Sequence, residues 1–171
     1  MRTIEPDSVP TDRLLLVPLR PGHADEMATV LSDPGLHAFT GGAPETAEAL
    51  RARYERWAAG SPDPAESWCN WVIRLRDADR AAGTVQATVT ADDRGAIAEI
   101  AWVVGTPWQR CGIATEAARG LVSWLAQQGV HTVVAHIHPD HRASAAVAAA
   151  AGLAPTGEWQ DGEVRWRLAL G

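Results

Sequence analysis

The 171-residue sequence has few cysteines and no excess of basic residues, and each shortage excludes a class of protein. Its two cysteines, Cys69 and Cys111, are too few for a disulfide scaffold and are typical of a reduced intracellular protein. The net charge of −6 argues against a nucleic-acid-binding surface, which needs clustered basic residues. An acidic chain is compatible with a cationic substrate, but its charge alone does not indicate one.

Long hydrophobic runs are also absent from the sequence. The longest run of small apolar residues, Ala145–Ala154, is too short and too rich in alanine to span a bilayer. Met1–Pro6 has no apolar segment after its basic residue, so we expect no secretory signal. The sequence thus predicts a cytoplasmic protein that has neither a membrane nor a nucleic acid as partner.

The apolar residues that are present suit one domain with a sizeable core, since they make up 46 % of the chain. Residues 1–10 are polar and contain two prolines, so they are predicted to form a flexible tail before a domain at 11–171. Apolar residues at helical spacing predict helices over 25–31, 46–59, 112–128 and 143–151. Runs of β-branched and aromatic residues predict strands over 13–19, 68–74, 83–90, 97–104, 132–137, 153–159 and 164–170. This mixed order predicts an α/β fold with helices on both faces of a sheet.

The most informative segment is Trp108–Ala117, which follows the apolar run Ile100–Val104 and opens the most strongly periodic helix. The first backbone N–H groups of a helix have no partner inside the helix and carry the positive end of its dipole. An anion is stabilised there without a lysine. Gly112 lets the backbone approach a ligand closely because it has no Cβ. The segment therefore predicts a phosphate-binding loop.

Gln109, Gly112 and Ala114 match the pattern of Gln or Arg, two residues, Gly, one residue, then Gly or Ala. This loop resembles the acyl-CoA pyrophosphate loop of the GNAT superfamily of N-acyltransferases. Thr11–Leu19 is similar to the first strand of that family. The resemblance spans residues 11–170, and the nearest subgroup contains bacterial ribosomal-protein N-terminal acetyltransferases.

The crossover from a strand to a helix at His138–Ser144, followed by Ala151–Leu153, also resembles the GNAT family. The resemblance implies a single GNAT-like domain, whose mixed and mostly antiparallel sheet splays apart at the site of acetyl-CoA, the cosubstrate. Pantetheine would pair with the backbone of the freed strand. The cofactor-binding residues implied are Trp102, Val103, Val104, Gln109, Arg110, Cys111, Gly112, Ile113, Ala114, Thr115 and His141.

Two residues are candidates for proton transfer. Glu99 lies in the apolar strand beside the splay and is the best-placed base, although strand alternation equally allows an exposed surface glutamate. Ser144 stands where the resemblance places the serine of an Asn-x-x-Ser motif, so it is either the acid for the leaving thiolate or a helix N-cap. His141 replaces the asparagine of that motif and retains a hydrogen-bond donor. Ala148 occupies the position at which many GNAT enzymes carry a tyrosine that serves as the acid for the leaving thiolate.

Trp57 lies on the second predicted helix, which borders the acceptor site in the GNAT family, and its ring could contact a substrate. Recognition of the acceptor is expected from the first two helices and from the loops at 35–44 and 60–66. Histidines cluster at 131, 136, 138 and 141, but no cysteine or carboxylate pair at metal spacing accompanies them. We therefore expect no metal site.

The sequence predicts an N-acetyltransferase that moves an acetyl group from acetyl-CoA to a primary amine of a small molecule or a protein N-terminus. Direct attack is expected, because no nucleophile motif is present. The missing tyrosine leaves a non-catalytic acyl-CoA-binding module, regulatory or scaffolding, as the alternative. A homodimer also stays open. A Rossmann-type nucleotide enzyme is disfavoured, since no G-x-G-x-x-G motif follows the first strand.

Overall fold

The strands and helices of this chain form a single sheet with helices on both of its faces. The computed structural model describes residues 3–39 and 42–171. The strands described are β1 Val9–Pro10, β2 Leu14–Pro18, β3 Glu66–Leu75, β4 Arg80–Asp92, β5 Gly95–Val104, β6 Val130–Ile137, β7 Ala154–Gln160 and β8 Glu163–Ala169. The helices described are α1 Ala24–Val30, α2 Ala47–Ala59, α3 Ile113–Gln127 and α4 Arg142–Ala150.

The strand order is β1-β2-β3-β4-β5-β6-β8-β7, and all neighbours are antiparallel except β5 and β6. Parallel pairing between these two strands covers only Ala96–Glu99 and Val130–Val134. Beyond Glu99, β5 stays paired with β4 as far as Val104 but separates from β6. The predicted splayed α/β sheet is confirmed, and one backbone edge of β5 is left open at its C-terminal half.

Each face of the sheet has its own apolar core. Helix α3 packs on one face, where Ile113, Ala117 and Leu121 join residues from the inner side of β2 to β6. Helices α1 and α2 cover part of the other face, with Met27 and Tyr54 among the buried residues.

The helix ends follow from local capping. Thr46 caps α2 by accepting a hydrogen bond from the N–H of Ala49 at 3.1 Å. Gly112 precedes α3 with a φ of +80°, a left-handed conformation that glycine adopts without a Cβ clash. The four observed helices therefore begin and end within one residue of the predicted limits. Strand β4 is longer than predicted, because its first residues continue the pairing with β3 up to Arg80 opposite Leu75.

The N-terminal segment differs from the loose tail that its prolines predict. Val9 is buried, and β1 pairs with β2. The indole N–H of Trp71 donates to the carbonyl of Asp7 at 2.7 Å, and the N–H of Ile4 donates to the Ser67 hydroxyl at 3.0 Å. Residues 3–10 are thus held against the sheet, while Met1 and Arg2 lie outside the described residues. The division at residue 11 stays a prediction.

Gly83 allows β4 and β5 to approach closely at the open end of the sheet. A Cβ built at Gly83 would lie 2.1 Å from the carbonyl oxygen of Val103, a distance that backbone atoms do not tolerate. We expect Gly83→Ala to lower the free energy of unfolding by about 1–3 kcal/mol, the usual cost of overpacking. Urea denaturation checks this. Gly157→Ala is the control, because nothing lies within 4 Å of that Cβ; equal stability of both variants would contradict the close approach.

Candidate active site

One continuous cavity of about 840 Å³ lies where β5 separates from β6. Its loop half is lined by residues 101–104 of β5 and by residues 108–115 except Cys111. Four residues around the start of α4 complete it, namely His141, Ala143, Ser144 and Val147. Its α2 half is lined by residues of the turn at 35–39 and of α2, with Thr84 and Gln86 from β4. Cavities of this size hold small ligands and cosubstrates.

The loop half contains the start of α3. The first N–H bonded inside this helix is that of Glu116, which donates to the carbonyl of Gly112 at 3.0 Å. The N–H groups of Ile113, Ala114 and Thr115 precede it and therefore have no partner inside the helix. All three residues line the cavity. This end of the helix is suited to an anion such as a pyrophosphate.

The loop before α3 is braced by residues that sequence reasoning did not single out. The Arg13 guanidinium donates to the carbonyl of Cys111 at 2.9 Å and to the Glu116 carboxylate at 2.7 Å. The Thr11 hydroxyl also bonds to Glu116. Arg110 has a φ of +64°, which is uncommon for a residue with a Cβ and frequent at ligand-binding turns. The brace fixes this turn and the exposed helix start.

Two side chains of the predicted loop contact the backbone of the protein itself. The side-chain amide of Gln109 donates to the carbonyl of Val104 at 3.0 Å, so it ties the loop to the end of β5. Cys111 is exposed, lies outside the cavity lining, and places its thiol 2.8 Å from the carbonyl of Trp108. The predicted contact of Cys111 with the cofactor stays a prediction.

Trp102, Val103 and Val104 line the cavity next to the loop. Since β6 no longer pairs with this part of β5, the strand has an open edge there. An extended ligand with amide groups can pair with such an edge through main-chain hydrogen bonds. Trp102 also packs against the core on the α3 side, as expected for its side chain.

His141 and Ser144 form a closely coupled pair at the start of α4. His141 is the N-cap: its Nδ1 accepts the main-chain N–H of Ser144 at 3.2 Å. Burial lowers the pKa of His141, so the imidazole is neutral at neutral pH and carries its hydrogen on Nε2. Nε2 lies 3.1 Å from the Ser144 hydroxyl oxygen and donates to it. The hydroxyl hydrogen of Ser144 is thereby free for another acceptor.

The helix-cap interpretation of Ser144 is wrong, because His141 holds that position one turn earlier. Ser144 is the third residue of α4, and its hydroxyl lines the cavity with His141 and Val147. Ala148, at the position of the family's tyrosine, is completely buried. The chain's one tyrosine, Tyr54, lies far away in sequence but lines the same cavity.

Ser144→Ala separates chemistry from helix stability. Alanine keeps the main-chain N–H that donates to His141, so we expect stability within about 0.5 kcal/mol of the parent. Loss of the hydroxyl should lower turnover by about 10²-fold with little change in acetyl-CoA affinity, if Ser144 protonates the thiolate. Steady-state kinetics and calorimetry measure the two quantities. Ser123→Ala, an exposed serine in α3, is the control.

Ser144→Asp sharpens this test. A carboxylate in the first turn of α4 suits the helix dipole, so the variant should stay folded. It is ionised at neutral pH and would repel a thiolate rather than donate to it. We expect a stable and slow enzyme. Turnover equal to that of the parent would contradict any part of Ser144 in the reaction.

Glu99 is paired with a histidine on the neighbouring strand. Its Oε1 lies 2.7 Å from Nδ1 of His136, and the side chain of Glu99 is 51 % exposed while that of His136 is 8 % exposed. Nε2 of His136 is buried and has no hydrogen-bond partner in the part of the chain that the structure describes. Glu99 does not line the cavity itself, but Ala101, the next residue on the same face of β5, does.

The other histidines of the cluster have separate partners. His131 pairs with Asp92 at 2.8 Å, and His138 packs beside Phe39 with ring centroids 5.2 Å apart. Within residues 3–39 and 42–171, no group of three or more His, Cys, Asp or Glu residues could hold a metal ion.

Aromatic rings line the α2 half of the cavity. The rings of Tyr54 and Trp57 stack with centroids 5.6 Å apart, and Phe39 stacks on His141 at 4.4 Å. Burial raises the pKa of Tyr54 to about 12, so its phenol stays protonated at neutral pH. Trp57 lines the cavity on this side, and its contact with a substrate stays a prediction. The loop at 35–44 contributes too, although Thr40 and Gly41 lie outside the described residues.

The splayed sheet, the exposed helix start and the open edge of β5 define a site for an acyl-CoA-type cosubstrate. A family model described as "Acetyltransferase (GNAT) domain" matches residues 13–154. The chain therefore belongs to the GNAT acetyltransferase family. A comparison with curated protein sequences found no match.

Solved structures agree with this fold over nearly the whole chain. A GNAT-family acetyltransferase from Bacillus anthracis has a TM-score of 0.78 at 18 % identity, covering 95 % of this chain and 98 % of its own. A Salmonella typhimurium acetyltransferase that modifies the N-terminal serine of ribosomal protein L7/L12 has a TM-score of 0.78 at 14 % identity. The match covers 96 % of this chain and 100 % of that enzyme. The microcin C7 self-immunity acetyltransferase MccE, in complex with acetyl-CoA and AMP, has a TM-score of 0.76 at 16 % identity, and the match covers 93 % of each chain.

Family membership makes the protein an acetyl-CoA-dependent acyltransferase. Identities below 25 % support the fold alone, so the neighbours do not identify the acceptor. The presence of a ribosomal-protein acetyltransferase among them agrees with the subgroup that the sequence resembles. In the part of the chain that the structure describes, no helix is long and apolar enough to cross a bilayer.

Proposed function

We propose that this chain is an N-acetyltransferase that transfers the acetyl group of acetyl-CoA directly to a primary amine bound in the same cavity. One observation carries the proposal: the cavity is continuous from the start of α3 to the aromatic side of α2. Two reactants held side by side react without a second encounter, which is a large part of enzymatic rate enhancement. Acetyl-CoA supplies the thioester, and the protein supplies position and proton transfer.

The loop half would hold the cosubstrate by its backbone. The N–H groups of Ile113, Ala114 and Thr115 would receive the pyrophosphate, and Arg110 would add a positive charge at the cavity wall. The open edge of β5 at Val103 would pair with the pantetheine amides. His141 is placed beside this arm, but its two ring nitrogens already bond to Ser144, so its contribution to binding would be packing rather than a free hydrogen bond.

Glu99 would accept the proton that the ammonium group must lose before attack. Two residues along a strand span about 7 Å, so a single bridging water would connect Glu99 to an amine beside Ala101. His136 would hold the carboxylate in place through its 2.7 Å hydrogen bond. The position of the Glu99 side chain beside the cavity supports its role as the base.

The amine nitrogen would then attack the thioester carbon, forming the N–C bond as the C–S bond breaks. Ser144 would donate its hydroxyl proton to the leaving sulfur while His141 Nε2–H stabilises the serine oxygen. The second proton lost by the nitrogen would restore the hydroxyl. No covalent acyl-enzyme is needed, since Cys111 lies outside the cavity lining and burial raises the pKa of Cys69 to about 12.

A thiol-release assay tests the proposal. Acetyl-CoA is incubated with ribosomal N-terminal peptides, amino acids, aminoglycosides and polyamines, and free CoA thiol is followed. The chain contains no lysine, so acetylation of its own side chains adds no background. At least one class of primary amine should accelerate CoA release. Tight acetyl-CoA binding without release by any amine would favour the non-catalytic acyl-CoA-binding module instead.

A further inference from the structure

The charge of the cavity lining contrasts with the charge of the whole protein. The chain carries a net charge of −6, yet no aspartate or glutamate lines the cavity. This statement concerns the described residues, and the two neighbouring positions outside them are Thr40 and Gly41, which are not acidic. A site for a polyamine or an aminoglycoside needs carboxylates to compensate several ammonium groups. The lining offers none.

Arg53 supplies a permanent positive charge to the α2 half. One terminal nitrogen pairs with Glu45, and the guanidinium carbon lies 5.7 Å from the centre of the Trp57 ring. A guanidinium has five N–H donors in a fixed fork, so the pair with Glu45 leaves donors for a ligand. Its side chain is 42 % exposed and Arg53 lines the cavity. Its position over the Trp57 ring restricts the directions in which the guanidinium N–H groups can donate.

A second polar group in the same half has no partner among the described residues. Nε2 of His37 is buried and forms no hydrogen bond within residues 3–39 and 42–171, and His37 lines the cavity. Buried polar atoms in proteins are nearly always satisfied, so this nitrogen is an exception next to the cavity. The aromatic ring of Trp57, which stacks on that of Tyr54, lines the same half and offers apolar surface to a ring or a large side chain.

We propose that the acceptor is a small primary amine that also carries an anionic group, a carboxylate or a phosphate, which Arg53 binds in the α2 half of the cavity. This rests on the proposed amine acetylation. The anion would face Arg53, an apolar or aromatic portion would lie on Trp57, and the amine would point to the end of β5. A peptide N-terminus has an amide where this acceptor has its anion, so the two classes differ at the group that Arg53 contacts.

Matched acceptors test the assignment by changing only the group next to the amine. The series is phenylalanine, its phosphonate analogue, phenylalaninamide and phenethylamine. For the parent protein we expect kcat/KM about tenfold or more higher for an anionic acceptor than for the amide, the scale of one charged hydrogen bond. Comparison of carboxylate with phosphonate identifies which anion is bound. Equal rates for the acid and the amide, or a preference for phenethylamine, would overturn the proposal.

Variants of Arg53 test whether this residue causes the preference for anionic acceptors. Arg53→Gln should remove it by raising KM for the anionic acceptor, while kcat/KM for phenylalaninamide stays within about twofold. Arg51→Gln is the matched control, because Arg51 lies on the same helix, pairs with Asp25 at 3.5 Å and does not line the cavity. Glu45→Gln frees Arg53 and should increase the preference. Retention of the full preference in Arg53→Gln would exclude Arg53 as the anion site.

Binding measured without turnover separates this inference from the proposed function. Calorimetry of the CoA-saturated protein with N-acetylphenylalanine and with its amide requires no reaction. Tighter binding of the acid, lost in Arg53→Gln, supports the anion site even if no amine is acetylated, in which case only the proposed function fails. Acetylation of amines with equal binding of acid and amide would overturn the anion site and leave the proposed function intact.

Discussion

Gly112→Asp should weaken acetyl-CoA binding by about tenfold or more, since a charge at a helix terminus changes binding free energy by up to ~2 kcal/mol. Gly112 has a φ of +80°, which strains any residue with a Cβ. Its Cβ would lie 3.2 Å from Nη2 of Arg13, so the new carboxylate would compete for the guanidinium that holds the carbonyl of Cys111. The variant adds negative charge where the account places a pyrophosphate. Titration calorimetry with acetyl-CoA measures the effect.

Two controls separate the charge from the backbone strain. Gly112→Ala introduces the Cβ without the charge, so its effect should be smaller. Gly162→Asp has the same φ of +80° and the same new charge in the turn between β7 and β8, where nothing lies within 4 Å. Its acetyl-CoA affinity should equal that of the parent. Unchanged affinity in a folded Gly112→Asp protein would remove the loop from the cofactor site.

Glu99→Gln should lower turnover at neutral pH by roughly 10²-fold or more, the usual scale of general-base catalysis. Glutamine still accepts the hydrogen bond from His136, so the pair and the fold should persist. Acetyl-CoA affinity should barely change, because Glu99 lies outside the cavity lining. Steady-state kinetics over a range of pH, together with calorimetry, measure these quantities.

The sheet offers a matched control for this change. Asp92 forms a similar carboxylate–imidazole pair with His131 at 2.8 Å, but neither residue lines the cavity. Asp92→Asn should therefore leave turnover unaffected. If Glu99→Gln retains full activity with an unchanged pH profile, Glu99 is a surface residue and another group removes the proton.

The sequence predicted the features that depend on local chemistry. The start of α3 follows from Gly112, and the free N–H groups after it need no distant partner. The limits of α2 follow from Thr46 at its N-cap. The separation of β5 from β6 was also predicted, although the resemblance to the GNAT family supplied it rather than periodicity alone.

The features that were missed depend on contacts between distant segments. The brace of Arg13 on Glu116 joins residues 103 positions apart, and the pair of Glu99 with His136 forms across two parallel strands. Tyr54 is remote in sequence from the predicted loop, yet α2 carries it to the cavity. No local pattern indicates which of these residues meet.

The cap of α4 shows a different reason for error. Serine is a far commoner N-cap than histidine, so Ser144 was the natural candidate. The chain begins the helix earlier, and the imidazole Nδ1 of His141 takes the role of the capping oxygen. The N-terminal segment is similar: its prolines predict a loose tail, but Trp71 and Ser67 offer it hydrogen bonds that only the folded sheet assembles.

Mass spectrometry of the complete reaction mixture tests direct acetyl transfer most simply. The protein is mixed with acetyl-CoA and an acceptor amine, quenched, and the masses of amine, CoA and intact protein are recorded together. The account predicts an amine heavier by one acetyl group, an equal amount of free CoA, and a protein of unchanged mass at all times. A protein that gains the acetyl group before the amine does, or acetyl-CoA that stays intact with every amine, would contradict it.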